Sequence, residues 1–350
     1  MDLWDVVVQN DFNNFSKKDI DDIIELLENN MSKDLDERAY LYKNMHMLVR
    51  NGQIRNLLNK RILAGRCSVK WLQIKRKTTI NDLVTKLESK DLLFNKRLKT
   101  KNLEIKSPII FSTIKLGDLR YLIRTIVPTG VKSINKGDEI EEITAVDNIV
   151  SIIDLSKDVL EVRSNFKNAR VLHNFFSHLL ELDFEEIDIL KNFGGKMGAF
   201  KDSLDGGKFF DVNSKPILNL EITKEISNLL VNTLKALDNY FITKDMETLI
   251  SEMQSTQIDE KEIGDVCFTQ LLLAGLCKMN IGTDVELGKD LCHQSLYNLI
   301  KEHIEDETGY ISFTFGGEQH TIQVGRTTNS ISFRTMATEE LIEYFASKVL

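Results

Sequence analysis

Residues 149–163 read Ile149-Val150-Ser151-Ile152-Ile153-Asp154-Leu155-Ser156-Lys157-Asp158-Val159-Leu160-Glu161-Val162-Arg163. Two runs rich in β-branched residues, Ile149–Ile153 and Val159–Arg163, flank the polar Ser156-Lys157-Asp158, a pattern that predicts a β-hairpin. Val171, Leu172, Phe175 and Leu179 follow at helical spacing, so a helix closes the unit. The same order returns in residues 320–350. Thr321–Val324 and Ser330–Arg334 read as strands around Thr327-Thr328-Asn329, and Leu341, Ile342, Phe345 and Val349 mark one helix face. Thr338-Glu339-Glu340 supplies a cap and acids for that helix. A ββα duplication is one reading, and a chance likeness between two hairpin-plus-helix units is the other.

Outward from these units, residues 1–94 read as mainly helical. Ser16-Lys17-Lys18-Asp19 has capping-box spacing ahead of Ile20, Ile23, Ile24 and Leu27. Further helices are expected over 34–49, around Ile54, Leu57, Leu58 and Ile62 with Gly65 as the stop, and over 79–94. Cys67, Val69 and Trp71 alternate with polar residues and suggest a short strand. Residues 109–111 read as a strand. Leu119, Leu122, Ile123 and Ile126 have helical spacing, ended by Pro128-Thr129-Gly130. The expected fold class is α+β: an N-terminal helical domain, then two small ββα-type units flanking a helical block. The segments are 1–95 (basic, mainly helical), 96–192 (α/β with a hairpin and helix), 193–217 (Gly-rich connector), 218–307 (acidic helical block) and 308–350 (β-meander plus helix).

Charge is distributed unevenly along this frame. Residues 43–106 hold seventeen Lys/Arg and four Asp/Glu, whereas the whole chain of 350 residues is net −8. Residues 218–306 hold sixteen acids and seven bases, a poor surface for nucleic acid. A basic block in an acidic chain suggests a polyanion-binding surface. Arg50, Arg55, Lys60, Arg61, Arg66, Lys70, Lys75, Arg76 and Lys77 are the candidate phosphate contacts. Asn51, Gln53 and Asn56 are candidates for hydrogen bonds to bases or sugars. Alternatively the block is a solvated face, or docks against acids of the same chain or of a partner protein.

Catalytic signals are weak. Asp154 with Glu161-Val162-Arg163 approaches the Asp…Glu-x-Lys pattern of Mg²⁺-dependent nucleases, but Arg stands where Lys is usual and cannot accept a proton. The plain reading makes Glu161 and Arg163 a surface strand row. Glu104-Ile105-Lys106 with Asp91 is a second such candidate. Gly194-Gly195-Lys196 lacks the spacing of a phosphate loop. Cys67, Cys267, Cys277 and Cys292 contain no Cys-x-x-Cys, and no His pair has zinc-ligand spacing, so no metal or other cofactor is expected. Scattered cysteines, an acidic start and no long apolar run point to the cytoplasm, without a membrane.

The leading expectation is a non-catalytic nucleic-acid-binding protein, DNA before RNA, serving as a subunit of a larger assembly such as a prokaryotic defence or mobile-element system. The C-terminal region, where Ile311, Phe313 and Phe315 alternate with polar residues, is expected to bind a partner or a second copy. The alternatives are a Mg²⁺-dependent nuclease using Asp154 and Glu161, and an adaptor whose basic block binds an acidic protein.

Overall fold

The structure is a computed structural model that describes residues 1–27, 36–100, 103–135, 137, 140–217, 224–255, 273, 278–283 and 289–350. The chain forms two compact units, Met1–Gly207 with Ile311–Leu350, and Lys208–Tyr310. Both helix and strand are abundant and the strands pair antiparallel, so the chain is α+β.

In the first unit the chain runs α1 (Lys17–Glu25), α2 (Glu37–Leu48), α3 (Gly52–Arg61), β1 (Ser68–Lys75), α4 (Ile80–Leu87), β2 (Ile109–Gly117), β3 (Arg120–Asn135), β4 (Ile140–Asp154), β5 (Val159–Arg163), α5 (Phe166–Leu180), β6 (Asp183–Glu186) and α6 (Met197–Asp202). The second unit holds β7 (Lys208–Pro216), α7 (Lys224–Thr243), α8 (Met246–Ser255), β8 (Met279–Gly282) and α9 (Ser295–Ile300). Strand β9 (Ile304–Phe315) carries the chain back into the first unit, which ends with β10 (Glu318–Gly325), β11 (Ser330–Phe333) and α10 (Glu339–Val349).

The sheet of the first unit has the order β2-β3-β4-β5-β1-β11-β10-β9. Strand β1 thus lies inside the sheet, although its residues belong to the segment 1–95 that composition sets apart. It pairs with β5 along Val69–Gln73 on one edge, and with β11 at Ser68 and Val69 on the other. Strand β6 takes the rest of that second edge, Leu72 to Lys75. The two hairpins read from sequence, β4–β5 and β10–β11, therefore flank a common strand, and each is followed by a helix.

Those helices cover opposite faces. Helices α4 and α5 bury Leu72, Ile74, Ile123, Ile153, Leu160 and Val162 on one face. Helices α1, α2 and α3 cover the other face, over Ile114, Leu122, Val150 and Ile152. Helix α10 lies on this second face as well, where Ala346 approaches Trp71, Ile152 and Glu161. Phe345 of α10 meets Phe333, Phe313 and Phe200 with ring centres 5.5–6.0 Å apart. Each such fully buried apolar side chain contributes roughly 1.5–3 kcal/mol relative to exposure.

The helix expected over 119–126 is part of strand β3. Leu122 and Ile123 are both fully buried, one on each face of the sheet. A strand covered on both sides has no polar alternation to display, and its apolar positions can mimic a helical period. Hydrogen bonding to β2 and β4 on both edges satisfies its backbone.

The stretch 193–217 read as a connector contains α6 and β7. Met197, Phe200 and Leu204 are buried, and Phe193 packs edge-on against Phe200 at 4.9 Å, so apolar contacts hold the segment in place. In the second unit β7 pairs antiparallel with β8 from Asp211↔Gly282 to Ser214↔Met279. There Ser214 and Tyr297 both donate to Asp306, at 2.8 and 2.9 Å. The block 218–307, expected to be helical, places Leu229, Leu230, Leu234 and Leu237 in α7 and Leu296 and Leu299 in α9; Leu273 is buried, and its neighbours Leu271, Leu272 and Leu276 lie outside the described residues. No helix among the described residues is long and apolar enough to cross a membrane.

Candidate nucleic-acid interface

Helix α3 has the sequence Gly-Gln-Ile-Arg-Asn-Leu-Leu-Asn-Lys-Arg, with no acidic residue. Ile54 and Leu58, one turn apart, are fully buried and fix its inner face. Gln53, Arg55, Asn56, Asn59 and Lys60 are consequently exposed on the outer face. The Asn51 side chain accepts from the backbone N–H of Gln53 at 2.9 Å and of Ile54 at 3.4 Å. This cap starts the helix directly after α2, across Val49-Arg50-Asn51. It also occupies the Asn51 carbonyl oxygen, which makes Asn51 a positioning residue rather than a free base contact.

The nine candidate cations divide into two groups. Arg50, Arg55, Lys60 and Arg66 are exposed and make no ion pair with any described residue. All four sit on α3 or within a few residues of its ends. The other five are neutralised. Arg61 is half-buried, bonded to Asp19 at 3.0 Å and to the Met336 carbonyl at 2.7 Å, with Glu318 at 3.6 Å. Lys70 is 3% exposed and bonds Glu186 at 2.5 Å. Lys75 and Lys77 reach Glu185 and Asp183, each at 2.5 Å, and Arg76 bonds Asp158.

For the lysines of the second group, Lys70, Lys75 and Lys77, strand β6 supplies the carboxylates. Antiparallel pairing of β1 with β6 sets Lys75 opposite Asp183 and Gln73 opposite Glu185. The hydrogen bond from Lys75 holds the Glu185 carboxyl below the usual carboxylate range, reinforced by the charge of the same lysine. Exposed pairs of this kind contribute only about 0–1 kcal/mol each. Their importance lies in the field: opposite charges a few ångströms apart cancel beyond a Debye length of about 8 Å at physiological salt. That surface therefore attracts a polyanion far less than its lysine content suggests. The carboxylates responsible went unnoticed in the sequence, where only the alternation of Asp183-Phe184-Glu185 hints at a strand.

The residues of the nuclease pattern have structural partners instead. Glu161 is 8% exposed, not on the surface, and both its oxygens are occupied. Trp71 Nε1 donates to Oε2 at 2.9 Å and Arg163 Nε to Oε1 at 2.7 Å. Arg163 also donates to Glu339 at 2.5 and 2.8 Å and to the Leu63 carbonyl at 2.8 Å. The guanidinium is held well above its ordinary pKa by Glu339 and Glu161, which outweigh the cost of its burial. This network ties α10 to β5, β1 and the end of the α3 region.

Asp154 Oδ1 accepts from Ser156 N, Ser156 Oγ and Lys157 N at 3.0, 2.5 and 3.3 Å, stabilising the β4–β5 turn. Asp154 and Glu161 do line one small cleft together with Arg120, Lys157 and Glu343. Glu104 pairs with Lys106 at 3.2 Å outside any strand. Among the described residues no group of three His, Cys, Asp or Glu is arranged to hold a metal ion. Cys67 is half-buried, and desolvation is the main cause pushing its thiol up to about 12. Cys267 and Cys277 lie outside the described residues.

No protein-family profile matches the chain, and no curated protein shows significant similarity to it.

Proposed function

We propose that the protein binds nucleic acid without cleaving it, through the outer face of α3 and the flanking Arg50 and Arg66, as a subunit of a larger assembly. The observation that carries this reading is a helix face with hydrogen-bonding and cationic side chains only, whose cations are uncompensated among the described residues. Arg55, Lys60, Arg50 and Arg66 would contact phosphates, and Gln53, Asn56 and Asn59 are free to reach base edges. Two helices joined by three residues, the second with an open polar face, suit the wide major groove of duplex DNA. The deep, narrow major groove of duplex RNA does not admit a helix, which favours DNA. The acidic C-terminal two-thirds would then serve a protein partner or a second copy.

Titration of labelled duplex DNA, single-stranded DNA and duplex RNA tests the proposal. Duplex DNA should bind most tightly, and the double substitution Arg55→Glu/Lys60→Glu should abolish binding. Lys75→Glu/Lys77→Glu should alter it little. Loss with the second pair but not the first would refute the assignment, as would no binding by any nucleic acid. The adaptor alternative, in which the same cations meet an acidic protein, would be left in the latter case.

A further inference from the structure

On the face of the sheet covered by the N-terminal helices, a cavity of about 460 Å³ opens beside β2, β3 and the base of the β3–β4 ribbon. Its size falls in the range of roughly 300–1,000 Å³ typical of small-molecule sites. Ile105, Phe111, Ile126 and Val146 supply apolar walls, and no carboxylate lines it among the described residues. Among the described residues the sole charged group lining it is Arg97. Its guanidinium lies 4.8 Å from the centre of the Phe111 ring, and Nη1 donates to the Asp5 carbonyl at 3.1 Å.

Those two contacts orient the planar fork, and Arg97 itself is exposed at the edge of the cavity. Its remaining N–H groups have no partner among the described residues. An oriented guanidinium with free donors matches a carboxylate, which accepts two parallel hydrogen bonds. A second guanidinium on this face of the sheet is buried and does not line the cavity. Arg124, two residues from Ile126 on the same side of β3, is 1% exposed and bonds Asp11 at 3.0 Å, while its Nε and Nη1 have no partner.

We propose that this cavity binds a small amphiphile, with its apolar body against Ile105, Phe111, Ile126 and Val146 and a single carboxylate head on Arg97. The site is separate from α3 and does not depend on nucleic-acid binding.

Calorimetric titration of the full chain with dodecanoate, and with dodecan-1-ol as the uncharged counterpart, tests it. Dodecanoate should saturate one site per chain and bind at least about tenfold more tightly than the alcohol. Arg97→Gln should remove that preference, weakening dodecanoate about tenfold and leaving the alcohol unchanged. Thr144→Trp, at an exposed position on the rim, should block both ligands while leaving the melting temperature intact. Absence of binding, binding unchanged by Thr144→Trp, or equal weakening of both ligands by Arg97→Gln would overturn the proposal.

Discussion

Raising the salt concentration should weaken the complex with duplex DNA along a shallow slope. Four uncompensated cations, Arg50, Arg55, Lys60 and Arg66, release about 0.9 counterion each, for a slope near −3.6 of log affinity against log salt. From roughly 50 to 200 mM salt the affinity should then fall about 150-fold. Were all nine cations engaged, the slope would be about −8 and the loss nearly 10⁵-fold. Fluorescence anisotropy of a short labelled duplex over a salt series measures the slope directly. Lys60→Gln should reduce it by about 0.9, whereas Lys77→Gln, which removes a cation already paired with Asp183, should leave it unchanged. A wild-type slope near −8, or an equal effect of the two substitutions, would refute the partition into free and neutralised cations.

Further outcomes follow from the packing. Glu161→Ala strips the acceptor from Trp71 and one carboxylate from Arg163, and should cost about 3 kcal/mol in chemical denaturation; a loss under about 1 kcal/mol would contradict the buried network. Gly65 has φ +78°, and a Cβ there would lie 2.5 Å from Asn14 Cβ and 2.7 Å from its Cα, so Gly65→Ala should destabilise by more than about 1 kcal/mol in the same assay. Cys67, half-buried with its thiol raised to about 12, should react with iodoacetamide at pH 8 far more slowly in the folded than in the unfolded chain, read by mass spectrometry of the alkylated peptide. Burial lowers the pKa of His320, so the folded state disfavours its protonated form. The stability it contributes is full above the unfolded value near 6.5 and is lost as pH falls through the folded value. Melting curves should show this acid loss diminished in His320→Gln.

Several elements were legible because their causes are local. Ser16 and Asp19 form the reciprocal cap of α1, with Asp19 N–H donating to Ser16 Oγ at 3.1 Å and Ser16 N–H to Asp19 Oδ2 at 2.7 Å. The β4–β5 and β10–β11 hairpins form where alternation and turn residues place them. The helix expected at 119–126 shows the limit, because burial on both faces of β3 erases the period that separates strand from helix. Trp71 and Glu161 show another: neither residue type nor spacing reveals that an indole and a guanidinium will converge on one carboxylate.

The amino-acid sequence alone determined helix caps, hairpins and the concentration of positive charge in residues 43–106. Each depends on residue types and on neighbours a few positions away. Which cations stay available was decided only by tertiary structure. Lys70 meets Glu186 across 116 positions, Arg76 meets Asp158 across 82, and Arg61 bonds the Met336 carbonyl across 275. Ion pairs require separations of a few ångströms, and only the antiparallel docking of β6 and of the β4–β5 hairpin on β1, with the return of the chain through β10 to α10, creates them. Helix α3 kept its positive face because, among the described residues, no carboxylate pairs with its outer cations.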